Sequence, residues 1–273
     1  MNIARLAPEY DAMVLDQWGV LHNGSQPYPG IIECLKALAS CGTRLAVLSN
    51  SGKRANINLK RIAEMGFPPE LFEIVMTSGE ALWRDTAANK IKEQKFFAIE
   101  RVVGDATEWS AGLDLKIVTD IQDAEAVLLM GLPDGNAVSD WQTHLELAAE
   151  LKLPFYCSNP DLASPRADRM VVSPGALAHA YQKQGGDVLY YGKPHLPIFE
   201  ALEAALETKR LLMIGDSLDH DIMGAHNAGW DSVLIQGGLY SKDFQFGPSE
   251  EILEKLTQKK NCPPPTYMMD TLQ

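Results

Sequence analysis

Ala12-Met13-Val14-Leu15-Asp16-Gln17-Trp18-Gly19-Val20-Leu21 is the stretch on which the fold of this chain turns. Four consecutive apolar residues cut off by a polar break have the length of a strand covered on both faces, and Asp16 stands at its carboxyl end. Open α/β sheets keep their chemistry at that end. Two further runs repeat the arrangement. Arg44-Leu45-Ala46-Val47-Leu48 passes into Ser49-Asn50-Ser51, and Arg210-Leu211-Leu212-Met213-Ile214 passes into Gly215-Asp216. The amphipathic stretch Ile31 to Ser40, closing near Gly42, reads as the helix between the first two strands. Three strands thus deliver Asp16, Ser49 and Asp216 to one edge of one sheet.

Between them lies a second α/β stretch, with strands predicted at Lys95 to Ile99, Arg101 to Val103, Ala126 to Met130 and Pro154 to Cys157, and a helix at Asp140 to Lys152. The predicted fold class is therefore α/β, a Rossmann-like parallel-sheet core carrying an inserted α/β domain. Residues 1–82 and 188–273 are assigned to the core and 83–187 to the insert, with borders near Trp83 and Asp187. A helix is expected around Ser249 to Lys259. Pro263-Pro264-Pro265 then breaks the chain, and Thr266 to Met269 returns as an edge strand.

The 273 residues are 46% apolar, enough for a sizeable core, and 24 Lys+Arg against 36 Asp+Glu leave a charge of −12. Nucleic acid and anionic membrane surfaces are thereby disfavoured as partners, since both attract positive potential. No stretch nears the ~20 apolar residues of a membrane span, and the N-terminus lacks a long apolar core, so a cytoplasmic enzyme is expected, with a homodimer left open. Cys34, Cys41, Cys157 and Cys262 have no Cys-x-x-Cys spacing and read as reduced cysteines.

The acidic cluster Asp216-Ser217-Leu218-Asp219-His220-Asp221, a strand-end aspartate and the absence of Cys/His clustering favour a hard cation held by oxygen, and Mg²⁺ is the one expected. Ser49 and Asn50 offer hydrogen bonds, Ser51-Gly52-Lys53-Arg54 reads as a helix start whose free N–H groups suit an anion, and Lys193 supplies a positive point charge. Carboxylate nucleophile, metal, hydroxyl and lysine together describe phosphoryl transfer through an aspartyl-phosphate, with a small phosphorylated substrate as partner. Taken singly, Asp16 is a turn former, Ser49-Asn50-Ser51 a helix cap and Lys193 a solvated surface lysine. The ordered set carries the inference.

That order, Asp16, Ser49, Lys193, Asp216, resembles the four motifs of the haloacid dehalogenase superfamily, with Trp18 standing where its nucleophile motif Asp-x-Asp-Gly-x-Leu has a second aspartate. The insert resembles that superfamily's large α/β cap. Tyr28-Pro29-Gly30, Ser158-Asn159-Pro160-Asp161, Pro174-Gly175-Ala176-Leu177, Gly192-Lys193-Pro194-His195 and Gly215 to Ile222 are similar to the para-nitrophenyl phosphatase and pyridoxal phosphate phosphatase branch, subclass IIA. The resemblance implies that Asp16 is nucleophile and metal ligand, that the Trp18 carbonyl, Asp216 and Asp221 complete the metal set, and that Lys193 neutralises charge. It further implies that Ser49 and Asn50 contact the phosphoryl group and that Asn159 and Asp161, with Arg166 as a further candidate, contact the substrate. Indole has no usable proton at neutral pH, so Trp18 cannot serve as the missing acid; His22, His195 and His220 are the candidate surrogates. Two other functions fit the same residues: a catalytically weakened phosphate-metabolite binding protein, and a carbon–halogen hydrolase, against which the acidic cluster argues.

Overall fold

The computed structural model describes residues 3–165 and 170–272. In chain order the strands are β1 (Ala12–Leu15), β2 (Arg44–Ser49), β3 (Ile74–Thr77), β4 (Lys95–Ile99), β5 (Lys116–Val118), β6 (Ala126–Leu129), β7 (Phe155–Cys157), β8 (Ala163–Pro165), β9 (Met170–Val172), β10 (Val188–Tyr190), β11 (Leu211–Gly215), β12 (Asp231–Ile235) and β13 (Tyr267–Met269). The helices are α1 (Ile31–Ser40), α2 (Ala55–Glu64), α3 (Ser78–Ala87), α4 (Asp105–Trp109), α5 (Gln142–Leu151), α6 (Pro174–Lys183), α7 (Leu196–Leu206), α8 (Met223–Ala228) and α9 (Ser249–Lys260).

Two compact units are present, one of residues 1–49, 56–76 and 193–273, the other of 50–55 and 77–192. Trp83 and Asp187 fall inside the second. No linker marks the passage between units, because Thr77 both ends β3 and caps α3, accepting a hydrogen bond from the Glu80 N–H.

The first unit holds a six-stranded sheet in the order β13-β12-β11-β1-β2-β3. β1 pairs in parallel with β2 and β11, as β12 does with β11 and β13. Every residue of β1 and β11 is buried, which is why these strands read as unbroken apolar runs rather than alternating ones. The chain leaves β1 toward β2 and β3, and later adds β11 to its other side. This reversal opens a crevice at the strand carboxyl ends beside β1. Leu15 pairs with both Ile214 and Val47, so Asp16, Asp216 and Ser49 emerge within two residues of one another in register.

The second unit contains a parallel sheet, β10-β7-β6-β4-β5, packed through Val127, Leu129, Phe155, Leu145, Leu177 and Tyr181, and a separate antiparallel pair, β8 and β9. The strand expected at Arg101 to Val103 is instead a turn. Val103 is 95% exposed, the Asp105 carboxylate accepts from the Val102 N–H, and Glu100 accepts from Gly104 and Ala106, so side chains claim the backbone donors that a ladder would use. The helix expected from Asp140 begins at Gln142, after a 3₁₀ turn in which Asp140 accepts from the Ala137 N–H. All four cysteines are free, and among the described residues no helix is long and apolar enough to cross a membrane.

Candidate active site

Asp16 follows β1 directly, its N–H donating to Ile214 O at 2.9 Å. Asp216 follows β11. The chain then folds through a π-helical turn, Leu218–Ile222, in which the N–H groups of both Asp221 and Ile222 donate to Ser217 O. That turn carries Asp221 back beneath the strand end, where its carboxylate accepts from the Ser217 N–H at 3.1 Å. Gly215 makes room for it, since a Cβ there would collide with Asp221.

One carboxylate oxygen each from Asp16, Asp216 and Asp221 lies within 4.8 Å of the others. Lys193 Nζ donates to Asp16 Oδ1 and to Asp221 Oδ1, both at 2.6 Å. Lysine and Asp221 are 3% and 1% exposed, so these are buried, charge-assisted bonds. Asp216 is wedged between Gly19 and Gly238, where any Cβ would strike its carboxylate, and Oδ2 accepts from the Leu239 N–H at 2.8 Å.

Three carboxylates against one ammonium leave the cluster short of positive charge. Burial raises Asp16 to about 6; Lys193 opposes the rise and Asp221 adds to it. Burial, then the charges of Asp16 and Asp221, raise Asp216 to about 8. Burial acts to lower Lys193, but its two carboxylate partners prevail and raise it, so the ammonium stays charged. A hard divalent cation suits such an oxygen set, and its charge would reverse both carboxylate shifts.

Ser49 ends β2 and is buried. Asn50, Asn159 and Asp161 belong to the second unit, where Asn50 Nδ2 donates to Asp161 Oδ1 at 2.8 Å and the Asp161 N–H donates to Asn159 Oδ1 at 3.1 Å. Arg166 lies outside the described residues. The helix expected to open at Ser51 starts at Ala55, and the protein's own carboxylate meets its first N–H: Glu80 accepts from Ala55 N and from Arg54 Nε. No free anion seat is left at that N–H.

Trp18 is 41% exposed, with Nε1 2.9 Å from where a Cβ on Gly24 would stand. His22 is buried, and its Nδ1 accepts from the Gly24 N–H at 3.0 Å, so the ring proton sits on Nε2, which has no partner. Burial, then Arg61, lowers its pKa to about 4. His22 is therefore a neutral structural histidine at physiological pH. Burial, then His220, lowers His195 as well. Sequence reasoning missed Gly238 and Leu239, and also Asn58, whose Oδ1 accepts from Gln17 Nε2 and ties the loop after β1 to α2. The Gly237-Gly238 pair at the end of an apolar run was the available signal.

A doubly wound sheet with a lysine-bridged carboxylate cluster at its switch point is an arrangement suited to hydrolytic chemistry on a phosphoryl group. A model described as haloacid dehalogenase-like hydrolase matches residues 13–106, and one described as HAD-hydrolase-like matches 190–272. The D-glycerol 3-phosphate phosphatase of Mycobacterium tuberculosis is 24% identical over 86% of this chain, which spans only 65% of that protein's length. The 4-nitrophenylphosphatase of Schizosaccharomyces pombe is 25% identical over 90% of this chain and 88% of its own. A haloacid dehalogenase-like hydrolase from Brucella suis superimposes with a TM-score of 0.81 at 28% identity, covering 100% of this chain and 99% of that one. The chain belongs to the haloacid dehalogenase superfamily, in its subclass IIA branch of phosphoric monoester hydrolases.

Proposed function

We propose that this protein is a Mg²⁺-dependent phosphatase of a small phosphorylated metabolite, working through an aspartyl-phosphate. The observation that carries the reading is the Lys193 ammonium bridging Asp16 and Asp221 within the carboxylate cluster. Asp16, Asp216, Asp221 and the Trp18 carbonyl would hold the cation, which when bound supplies charge to the phosphoryl oxygens. An Asp16 carboxylate oxygen attacks phosphorus, the ester P–O bond breaks, and its electron pair leaves with the alcohol oxygen. Water then cleaves the acyl phosphate, returning the Asp16 carboxylate and inorganic phosphate. Lys193 holds Asp16 in place and offsets phosphate charge. Ser49 and Asn50 bind phosphoryl oxygens, and Asn159 and Asp161 take part in substrate selection.

The departing oxygen must find a proton without help from Trp18 or from neutral His22. Leaving groups that depart as stable anions are therefore favoured. Acid catalysis is worth roughly 100- to 10,000-fold, so para-nitrophenyl phosphate should turn over far faster than a simple sugar phosphate. The test is phosphate release from both substrates with Mg²⁺ and with EDTA. Release that is EDTA-insensitive refutes the metal-dependent reading, and equal kcat/KM for the two means that another group supplies the proton. Trp18 also favours one alternative, a phosphate-metabolite binding protein of weakened activity, for which stable ligand binding without release in Mg²⁺ is the expected result.

A further inference from the structure

Between Ala12 and His22 every side chain is buried or half-buried except that of Trp18. The exposure does not belong to a frayed loop. Gly24, at φ +101°, leaves the space in which the indole edge lies, and the turn that carries it is fixed on both sides. His22 Nδ1 accepts from the Gly24 N–H, Asn23 Oδ1 accepts from the N–H groups of Ser25 and Gln26, and Gly19 N–H donates to His22 O. A seated indole with so much surface in water forgoes hydrophobic free energy that burial would supply.

Its place along the chain fixes how near the carboxylate cluster it stands. Asp16 precedes it by two residues. Gly19 follows it, and a Cβ on Gly19 would overlap the Asp216 carboxylate, which puts the Gly19 Cα within about 4 Å of that oxygen. Consecutive Cα atoms are about 3.8 Å apart, so the Trp18 Cα stands within about 8 Å of the carboxylate cluster. An exposed aromatic ring is thus anchored close enough for the organic group of a phosphate ester held at the cluster to meet it.

We infer that Trp18 is a specificity-determining residue, an aromatic platform that stacks on a planar aryl or heteroaryl group carried by the phosphorylated substrate. The inference rests on the phosphatase reading and names the substrate class for it. It is separate from the leaving-group effect, which acts on bond breaking; stacking acts on binding, before any bond breaks, and is sequence- and substituent-tolerant because every aromatic ring has a face.

Binding of ligands that cannot turn over separates the two. Phenylphosphonate, methylphosphonate and inorganic phosphate are titrated calorimetrically against the Mg²⁺-loaded protein. Wild type should prefer phenylphosphonate over methylphosphonate by roughly 2- to 13-fold, the span of aromatic pair energies. The preference should vanish in Trp18→Ala, survive in Trp18→Phe, and shrink in Gly24→Ala, where a Cβ 2.9 Å from Nε1 displaces the ring. Each affinity is read as a ratio to that of inorganic phosphate in the same protein, so that any change at the metal site or in the backbone common to all three ligands cancels. A phenyl preference that persists in Trp18→Ala overturns the platform, as does an equal loss for all three ligands. A wild-type protein that binds none of them refutes the phosphatase reading and the platform with it.

Discussion

Raising the pH of the metal-free protein from 6.5 to 8 should destabilise it through Asp216. Its carboxyl is held at about 8 in the folded protein, chiefly by burial and then by the charges of Asp16 and Asp221, against 3.8 for the free group. A raised carboxylate contributes stability that is complete below the unfolded value and is lost as pH climbs through the folded one. Throughout this window the folded state binds more protons than the unfolded state, so stability falls with pH. With one pKa unit worth about 1.4 kcal/mol, and the loss tapering as pH 8 is reached, Asp216 accounts for about 1.5 kcal/mol. Asp16, at about 6, has spent nearly all of its share below the window. Glu73 and Glu80 are lowered by their arginine partners, Glu80 despite its burial, and act only at more acid pH. His22, lowered to about 4, pulls weakly the other way, but it does so equally in Asp216→Asn. The difference between wild type and that variant is therefore the quantity to measure, by thermal unfolding in EDTA. At about 2 °C per kcal/mol for a chain of this size, wild type should lose about 3 °C relative to Asp216→Asn between pH 6.5 and 8. Saturating Mg²⁺ should cancel the loss, since the cation favours the ionised carboxylates. Parallel pH profiles for the two proteins would refute the electrostatic account of the cluster.

Asp16→Asn should abolish phosphate release with the circular dichroism spectrum unchanged; release near the wild-type rate would rule out Asp16 as the nucleophile. Gly238→Ala drives a methyl group against Asp216, and calorimetry should show Mg²⁺ affinity reduced by roughly 10- to 100-fold, as when other supporting contacts of metal ligands are lost. Unchanged affinity would mean that the wedge does not set the ligand. Asp161→Ala removes the acceptor for Asn50, and with Asn159→Ala it should reorder relative kcat/KM across a panel of phosphorylated metabolites more than it slows para-nitrophenyl phosphate. A uniform loss over the panel would make both residues structural.

β1, β2 and β11 were readable because their burial on both faces leaves apolar runs ending in polar clusters. β3 escaped notice because Thr77 passes straight into a helix, and β12 because it opens on the exposed Asp231. Arg101-Val102-Val103 misled for the opposite reason: two β-branched residues imitate a strand, while carboxylates at Glu100 and Asp105 bend the backbone into a turn. Asp16, Lys193, Asp216 and Asp221 gather as their order implied. The reason for glycine at Gly19 and Gly238 was illegible, because what requires it is a carboxylate approaching from a distant part of the chain.

The pairing of β1 with β11 also sets a timetable for synthesis. About 200 residues separate the partners, and at about 5–20 residues per second β1 waits roughly 10–40 s for β11 to be made. Within that interval all strands of the second unit are complete, whereas Ala12-Met13-Val14-Leu15 has gained only one of its two flanking strands. Asp16 acquires Lys193, Asp216 and Asp221 only after roughly 200 further residues have been made. A nascent chain thus lacks its carboxylate cluster until the core sheet closes, and the open edge of β1 is an apolar surface that a chaperone has long to cover.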